Sequence, residues 1–339
     1  QCADYIKVST KTMTDEENDV KLDVAGQAVF LDRVLPFQIE GLDVHGRMVR
    51  LDAVTTEVLC RHNYPESVAK LLGEALVLVS MLGSLLKFDG RFVMQTKTDG
   101  PVSMLVADYS SAGGIRGYAQ FDADKLGELE DESFVSVMGT GYVAFTVDQG
   151  PDMDPYQGIV PVEGESLSDV ALSYFDRSEQ IPTFIRLSTA PLHKQGGQVD
   201  WRAAGIMVQQ TARDGGEAVR GSVSDDDWRR IGMMLETATD AELLDSALSE
   251  QDLAYRLFHE DGVRSFEPRH LHFACSCSSE RVETMLQSLP EADIEEMRQD
   301  DETVVTCEFC STVYRFDSDL QYIDANTDAN NEPTPQPIH

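Results

Sequence analysis

Positive charge is what this sequence most lacks: 27 Lys and Arg stand against 60 Asp and Glu, a formal net charge of −33 at pH 7. So acidic a surface repels phosphate backbones and anionic lipid heads, which argues against nucleic acid and membranes as partners. There is also no run of about 20 uncharged apolar residues, the length a membrane-spanning helix needs. No N-terminal stretch pairs a basic flank with an apolar run of about 7–15 residues, so no signal peptide is read, and no lipoprotein anchor is expected at Cys2. The expected location is the cytoplasm, where thiols are kept reduced. Phosphate loops and G-x-S-x-G elbows are missing. Gly139-Thr140-Gly141 imitates a dinucleotide fingerprint, but residues Tyr142 to Val147 alternate as a strand does where the fingerprint requires a helix. These glycines read as a turn or bulge.

Cysteine is sparse too, six residues in 339, yet four of them fall in two close pairs, Cys275-Ser276-Cys277 and Cys307-Glu308-Phe309-Cys310. Four thiolates are the ligand number of an all-cysteine zinc site, so one Zn2+ per chain is predicted. The C-x-C spacing and the 29 residues of 278–306 depart from the common zinc ribbon, whose gap is about 15–20 residues. A module this small is marginal alone, whereas structural zinc contributes on the order of 10–16 kcal/mol in small peptides. Thiolates are also the form that oxidants attack, so the same residues can serve as structural clip and redox trigger. His270 and His272 lie beside the cysteines but are read as solvated or supporting, since four cysteines already fill a tetrahedral site. Cys60, on an expected helix, reads as a small buried hydrophobe.

The 42% of hydrophobic residues suffice for one sizeable core with satellites. The fold expected is an α+β core domain with a buried central helix and mostly antiparallel sheet, a helical linker, and a small C-terminal four-cysteine zinc module. Residues 1–33 form an acidic lead expected to be disordered, with Met13 as a candidate natural start; 34–212 are the core, 213–266 the linker, 267–323 the zinc module, and 324–339 a disordered tail. In the core, a hairpin is expected with its turn at His45-Gly46-Arg47. The central helix begins after Pro65 and runs to about Lys87, apolar almost all round from Val68 to Leu86. Strands are predicted at Phe92–Thr98, Val102–Tyr109, Ile115–Phe121, Phe134–Met138, Tyr142–Val147, Tyr156–Val162, Phe184–Ser188 and Ala203–Thr211, with a helix capped by Ser166.

The linker carries 13 acidic and 6 basic residues. Ser224-x-x-Asp227, Thr239-x-x-Glu242 and Ser249-x-x-Asp252 mark three helix starts, with Trp228, Ile231, Leu235 and Ala238 on one face of the first. Short helices are marginal unless packed, and Gly232 weakens the first by about 1 kcal/mol, so Gly232→Ala is expected to stabilise it if that glycine is free of neighbours. Two readings stand side by side: a plain connector, or a metastable element that melts when the zinc module does. The zinc module carries 13 acids and 4 bases, which counts against a nucleic-acid-reading zinc ribbon. Its expected helices are Ser279–Ser288 and Glu291–Arg298, its strands Val304–Cys307 and Val313–Phe316.

From about Pro36 to Ile323 the chain resembles the redox-regulated bacterial 33 kDa heat-shock chaperones, the 33 kDa chaperonin family. The resemblance rests on the C-x-C and C-x-x-C pairs, Asn63-Tyr64-Pro65, Leu86-Lys87-Phe88-Asp89-Gly90, Gly139-x-Gly-Tyr, Tyr156-Gln157-Gly158, Tyr174-Phe175-x-Arg-Ser-Glu-Gln and Arg256-Leu257-Phe258-His259-Glu260. It implies an ATP-independent holdase, inactive when reduced and zinc-bound and switched on by oxidation. It also implies disulfides within each close pair, Cys275 with Cys277 and Cys307 with Cys310, loss of zinc, unfolding of the linker, capture of unfolding client proteins and a homodimeric active form. Cellular thiol reductants and ATP-dependent chaperones would act downstream. The acidic lead, the extra surface acidity and the loop around His193–Asp200 depart from the family pattern. The rival from another class is a thiol–disulfide oxidoreductase using Cys307 and Cys310, which lacks the expected βαβ context here.

Overall fold

The computed structural model describes residues 21–22, 28–29, 32–87, 89–150, 153–194, 196–210, 223–299 and 302–323. Two compact units are formed, Gln1–Ala274 and Cys275–His339. The candidate start at Met13, most of the acidic lead, Phe88, the linker's opening at 213–222 and the tail from Asp324 lie outside the described residues.

The first unit opens with a minimal antiparallel pair, β1 (Lys21–Leu22) and β2 (Ala28–Val29). β3 (Arg33–Ile39) and β4 (Val44–Leu51) then form a hairpin. Its turn lies at residues 40–43, not at His45-Gly46-Arg47 as expected. Gly46 sits inside β4, where a Cβ would stand 2.0 Å from Cζ of Phe37; the glycine admits a ring rather than making a turn. Helices α1 (Ala53–Cys60) and α2 (Glu66–Gly83) follow. From Val68 onward only Lys70 and Glu74 of α2 escape burial, as an all-round apolar helix requires. The helix ends at Gly83 rather than near Lys87, because Leu85 and Leu86 bond back to Leu82 and Gly83 in tight three-residue turns.

Next come β5 (Arg91–Thr98), β6 (Val102–Ser110), β7 (Gly114–Phe121), α3 (Ala123–Gly127), α4 (Phe134–Met138), β8 (Gly141–Asp148) and β9 (Tyr156–Pro161). Phe134–Met138 was expected as a strand and is one turn of helix. Ser133 accepts from the Ser136 N–H at its start, and Gly139, at φ 63°, closes it. Alternation over five residues cannot outweigh two helix-end signals. α5 (Leu167–Tyr174) is capped by Ser166 and runs into a π turn, Phe175–Glu179. β10 (Thr183–His193) and β11 (Val199–Gln210) form a hairpin longer than expected, and α6 (Asp225–Thr237), α7 (Asp240–Leu243) and α8 (Glu250–Phe258) begin at Ser224, Thr239 and Ser249. β12 (Val263–Ser265), β13 (Arg269–His270) and β14 (His272–Phe273) close the unit.

Two sheets result. One has the order β10-β11-β4-β3-β12, with β13 also on β3; the other has the order β14-β7-β6-β5-β8-β9. All pairs are antiparallel except β14 with β7. α2 packs on β5, β6 and β7 of the second sheet and on β4, β10 and β11 of the first, so it is the shared spine. This is the α+β, mostly antiparallel architecture expected. In the second unit, α9 (Ser279–Gln287) and α10 (Glu291–Met297) precede an antiparallel sheet of β15 (Arg298–Gln299), β16 (Glu302–Thr306), β17 (Val313–Phe316) and β18 (Tyr322–Ile323). Its hydrophobic cluster has three buried residues, Leu286, Tyr314 and Phe316. No helix among the described residues is long and apolar enough to cross a membrane.

Candidate functional site

The second unit folds so that two separate turns present sulfur to one point. Cys275 and Cys277 lie in the extended lead into α9, where Ser278 accepts from the Arg281 N–H and Arg281 Nη1 donates to the Ser276 carbonyl at 2.7 Å. Cys307 follows β16, and Cys310 sits in the turn back to β17. There the Ser311 N–H bonds to the Cys307 carbonyl, the Cys307 N–H to the Thr312 carbonyl, and Ser311 takes φ 56°. Sγ of Cys275 lies 3.3 Å from Cys277 and 3.7 Å from Cys307, and Cys277 lies 3.3 Å from Cys310. All four sulfurs lie within 4.8 Å of one another.

These separations suit a single tetrahedral cation: a Zn–S bond of about 2.3 Å puts ligand sulfurs about 3.8 Å apart, far beyond a disulfide bond of about 2.05 Å. Burial pushes the Cys277 thiol up to about 12, against the Tyr314 hydroxyl that donates to its sulfur at 3.1 Å. Cys307 is also raised, chiefly by burial. Cys310 goes down to about 7, because contacts with Thr312 and the neighbouring thiols outweigh its burial. Among the described residues these four are the one group of metal-ligating side chains that includes cysteine; His270 and His272 do not belong to it. Cys60 ends α1, half-buried rather than buried, with its sulfur 3.8 Å from the Val199 carbonyl.

The first unit holds a second feature. Leu35, Phe37 and Ile39 of β3, Val44 and Met48 of β4, and Ala204, Ile206 and Val208 of β11 form an apolar sheet face, covered by Ile231, Leu235, Leu253, Leu257 and Phe258 of α6 and α8. Trp228 is half-buried at the margin and stacks on Phe184, with ring centroids 4.6 Å apart. Each fully buried side chain contributes on the order of 1.5–3 kcal/mol while the helices stay docked. Gly232 is not free of neighbours: a Cβ there would meet Phe184 Cζ at 2.5 Å. The condition on which Gly232→Ala was expected to stabilise the helix is therefore not met.

Sequence reasoning missed the polar anchor of these helices. Glu250, the first residue of α8, is 3% exposed and takes a bidentate bond from Arg33, while Arg50 lies 3.8 Å from its Oε2 and donates to the Leu248 carbonyl. A glutamate just after an N-cap serine reads as a solvated first-turn acid. Nothing local marks it as buried.

An α+β protein with a four-thiol metal-binding centre and a helix-covered apolar sheet face is what these features define. The family model for Hsp33 protein matches residues 32–317. A 33 kDa chaperonin of Caulobacter vibrioides is 43% identical over 302 residues, covering 87% of this chain and 98% of that protein. One from Pseudomonas aeruginosa is 38% identical over 289 residues, covering 85% and 92%. The crystal structure of a 33 kDa chaperonin from Thermotoga maritima superposes with a TM-score of 0.68 at 22% identity, covering 85% of this chain and 96% of that one. The chain belongs to the Hsp33 family of chaperones.

Proposed function

We propose that this chain is a redox-regulated, ATP-independent holdase. One observation carries the reading: a four-thiol centre in a unit whose buried hydrophobic cluster is only Leu286, Tyr314 and Phe316 among the described residues, on the same chain as an apolar sheet face roofed by short helices. In the reduced protein Cys275, Cys277, Cys307 and Cys310 would hold one Zn2+, which when bound supplies the cross-link that so small a core does not. Oxidation joins Cys275 to Cys277 and Cys307 to Cys310. In each pair two thiols give two hydrogen atoms to one peroxide molecule, which becomes two waters, and a disulfide remains.

With its thiolates consumed, the unit loses the ligand set that folds it, and the helices of 213–266 undock. The face lined by Leu35, Phe37 and Ile39, and the linker face of Trp228, Ile231 and Leu235, then bind unfolding client proteins and keep them from aggregating. The oxidised form acts as a homodimer in the cytoplasm; thiol reductants reset it and ATP-dependent chaperones receive its clients. It is a binding protein rather than an enzyme: Cys307 and Cys310 sit between two antiparallel strands, β16 and β17, not at the strand-to-helix turn of a thioredoxin-like motif.

The test compares reduced and peroxide-treated protein for suppression of thermal aggregation of a model enzyme without ATP, with an insulin-disulfide reduction assay alongside. The oxidised form alone should suppress aggregation, and neither form should reduce insulin faster than background. Insulin reduction without aggregation suppression would transfer the reading to an oxidoreductase.

A further inference from the structure

The segment Gly262–Ala274 is stitched along sheet edges. β12 pairs with β3 in the register Val263 to Ile39, Arg264 to Gln38 and Ser265 to Phe37. The Glu40 N–H bonds to the Gly262 carbonyl at 2.9 Å, and the Phe266 N–H to the Pro36 carbonyl at 2.9 Å. β13 adds Arg269 opposite Val34 and His270 opposite Arg33, and the Leu271 N–H reaches the Asp32 carbonyl at 2.8 Å. β14 then runs parallel to β7 for two residues. Without this strap, β3 would be the bare edge of its sheet.

The strap is held by these backbone bonds together with a few side-chain contacts: Arg264 to Gln38 at 2.7 Å, Arg269 to the Ser84 carbonyl at 3.3 Å, and Val263, Leu271 and Phe273 packed against the core. Its paired pieces are three, two and two residues long, and of its side chains only Leu271 is buried; Arg264, Ser265, Phe266, Arg269 and His270 are exposed. So short and so little buried a segment belongs to the least stable part of a fold. Its last residue directly precedes Cys275, so on the holdase reading the unfolding of the cysteine unit would leave that end of the strap untethered. A bond to the backbone of β3 asks nothing of the partner's side chains, which suits a site for unrelated sequences.

We infer that the outer edge of β3, once the strap has left it, receives an extended segment of unfolded polypeptide as an added antiparallel strand. The inference rests on the holdase reading and names how a client is gripped. The strap, seated there in this structure, is the stand-in for that segment. Continuity with the covered face supports the same occupant: β3 carries Leu35, Phe37 and Ile39 on that face, so a strand added beside it can lay alternate apolar side chains there once α8 has moved. Backbone groups alternate sides along a strand, so the outward set includes Glu40, Gln38 and Pro36, as the Glu40 N–H and Pro36 carbonyl bonds to the strap require. Pro36 cannot donate, and there the strap leaves the ladder at residues 266–268, which limits how far an edge stays sticky.

Amide exchange resolved to single residues tests this on the full chain in three states: reduced, oxidised, and oxidised with a thermally unfolded model enzyme. The Gln38 and Glu40 amides should exchange at least about tenfold faster on oxidation and return toward the reduced rate with the client, while the inward amides of Phe37 and Ile39 stay slow throughout. Outward amides that stay protected on oxidation, or stay fast with client bound, would overturn it. Two variants each remove one backbone donor of the Gln38–Arg264 pair, one from the strap and one from β3. Arg264→Pro should lower the oxidation needed for activation and leave the fully oxidised capacity unchanged; Gln38→Pro should lower that capacity several-fold. Equal capacities at equal oxidation sink the proposal, and if Gln38→Pro does not fold, exchange on the unaltered protein decides. Failure of the oxidised unaltered protein to suppress aggregation at all is instead a failure of the holdase reading.

Discussion

Arg33 and Glu250, on the first long strand of the sheet and at the start of α8, meet as a buried bidentate pair: Nε donates to Oε1 at 2.7 Å and Nη2 to Oε2 at 2.8 Å. Burial works against the charge on Glu250, but Arg33 and Arg50 hold its carboxyl below the usual range. Such a pair adds little over a well-packed apolar substitute, yet breaking it by removing one partner is expensive, because the other charge stays buried. The pair ties the start of α8 to β3 at one register.

Glu250→Gln should strip two buried guanidinium groups of their counter-charge and destabilise helix docking by about 3–5 kcal/mol. The reduced variant should melt earlier and suppress client aggregation with less oxidant. An unchanged melting temperature would show that the pair carries no docking energy. The sign with pH follows from a depressed folded pKa. Docking is stabilised above the ordinary value of 4.5 and weakens as pH falls below it, a slope the variant should lack.

Gly232→Ala should loosen α6. The helix-propensity gain of about 1 kcal/mol is outweighed by overpacking against Phe184, which costs about 1–3 kcal/mol. At equal cysteine oxidation the variant should activate sooner, with an earlier red shift of Trp228 fluorescence. Later activation would mean that Phe184 yields without strain.

Asp32 titrates with the opposite sign. Burial pushes its carboxyl up to about 7, against N–H bonds from Asp52 and Val54 at 2.7 and 3.2 Å. A raised folded pKa contributes stability that is complete below the ordinary 3.8 and lost as pH rises toward 7, up to about 4 kcal/mol. Asp32→Asn keeps an acceptor for both N–H groups and removes the titration. The stability difference between variant and unaltered protein should therefore grow in the variant's favour from pH 4 to 7; a flat difference refutes the burial effect.

Replacing Cys275, Cys277, Cys307 and Cys310 with Ser should abolish metal binding and unfold the C-terminal unit, whose buried cluster is Leu286, Tyr314 and Phe316. Metal analysis should fall from one ion per chain to none, and amides of α9 and α10 should lose protection. A variant that keeps its zinc would show that the ligands lie elsewhere. Chelation of the reduced protein should reproduce the unfolding reversibly.

Much of this was legible in the chain because it is local or periodic. C-x-C and C-x-x-C announce four thiols whatever folds around them. Ser224, Thr239 and Ser249 start helices because a cap needs only a side-chain oxygen and an N–H three residues on. The spine α2 is apolar all round because both of its faces meet sheets, and that leaves a mark on every turn. Tertiary structure alone decided the rest. Phe134–Met138 is too short for its period to speak. The roles of Gly46 and Gly232 depend on the rings of Phe37 and Phe184 that close on them. Glu250 finds Arg33 217 positions away, and the strap at Gly262–Ala274 finds β3 from the far end of the unit. A sequence states what each residue offers its neighbours within a few positions; which distant surface accepts the offer is settled only when the chain has packed.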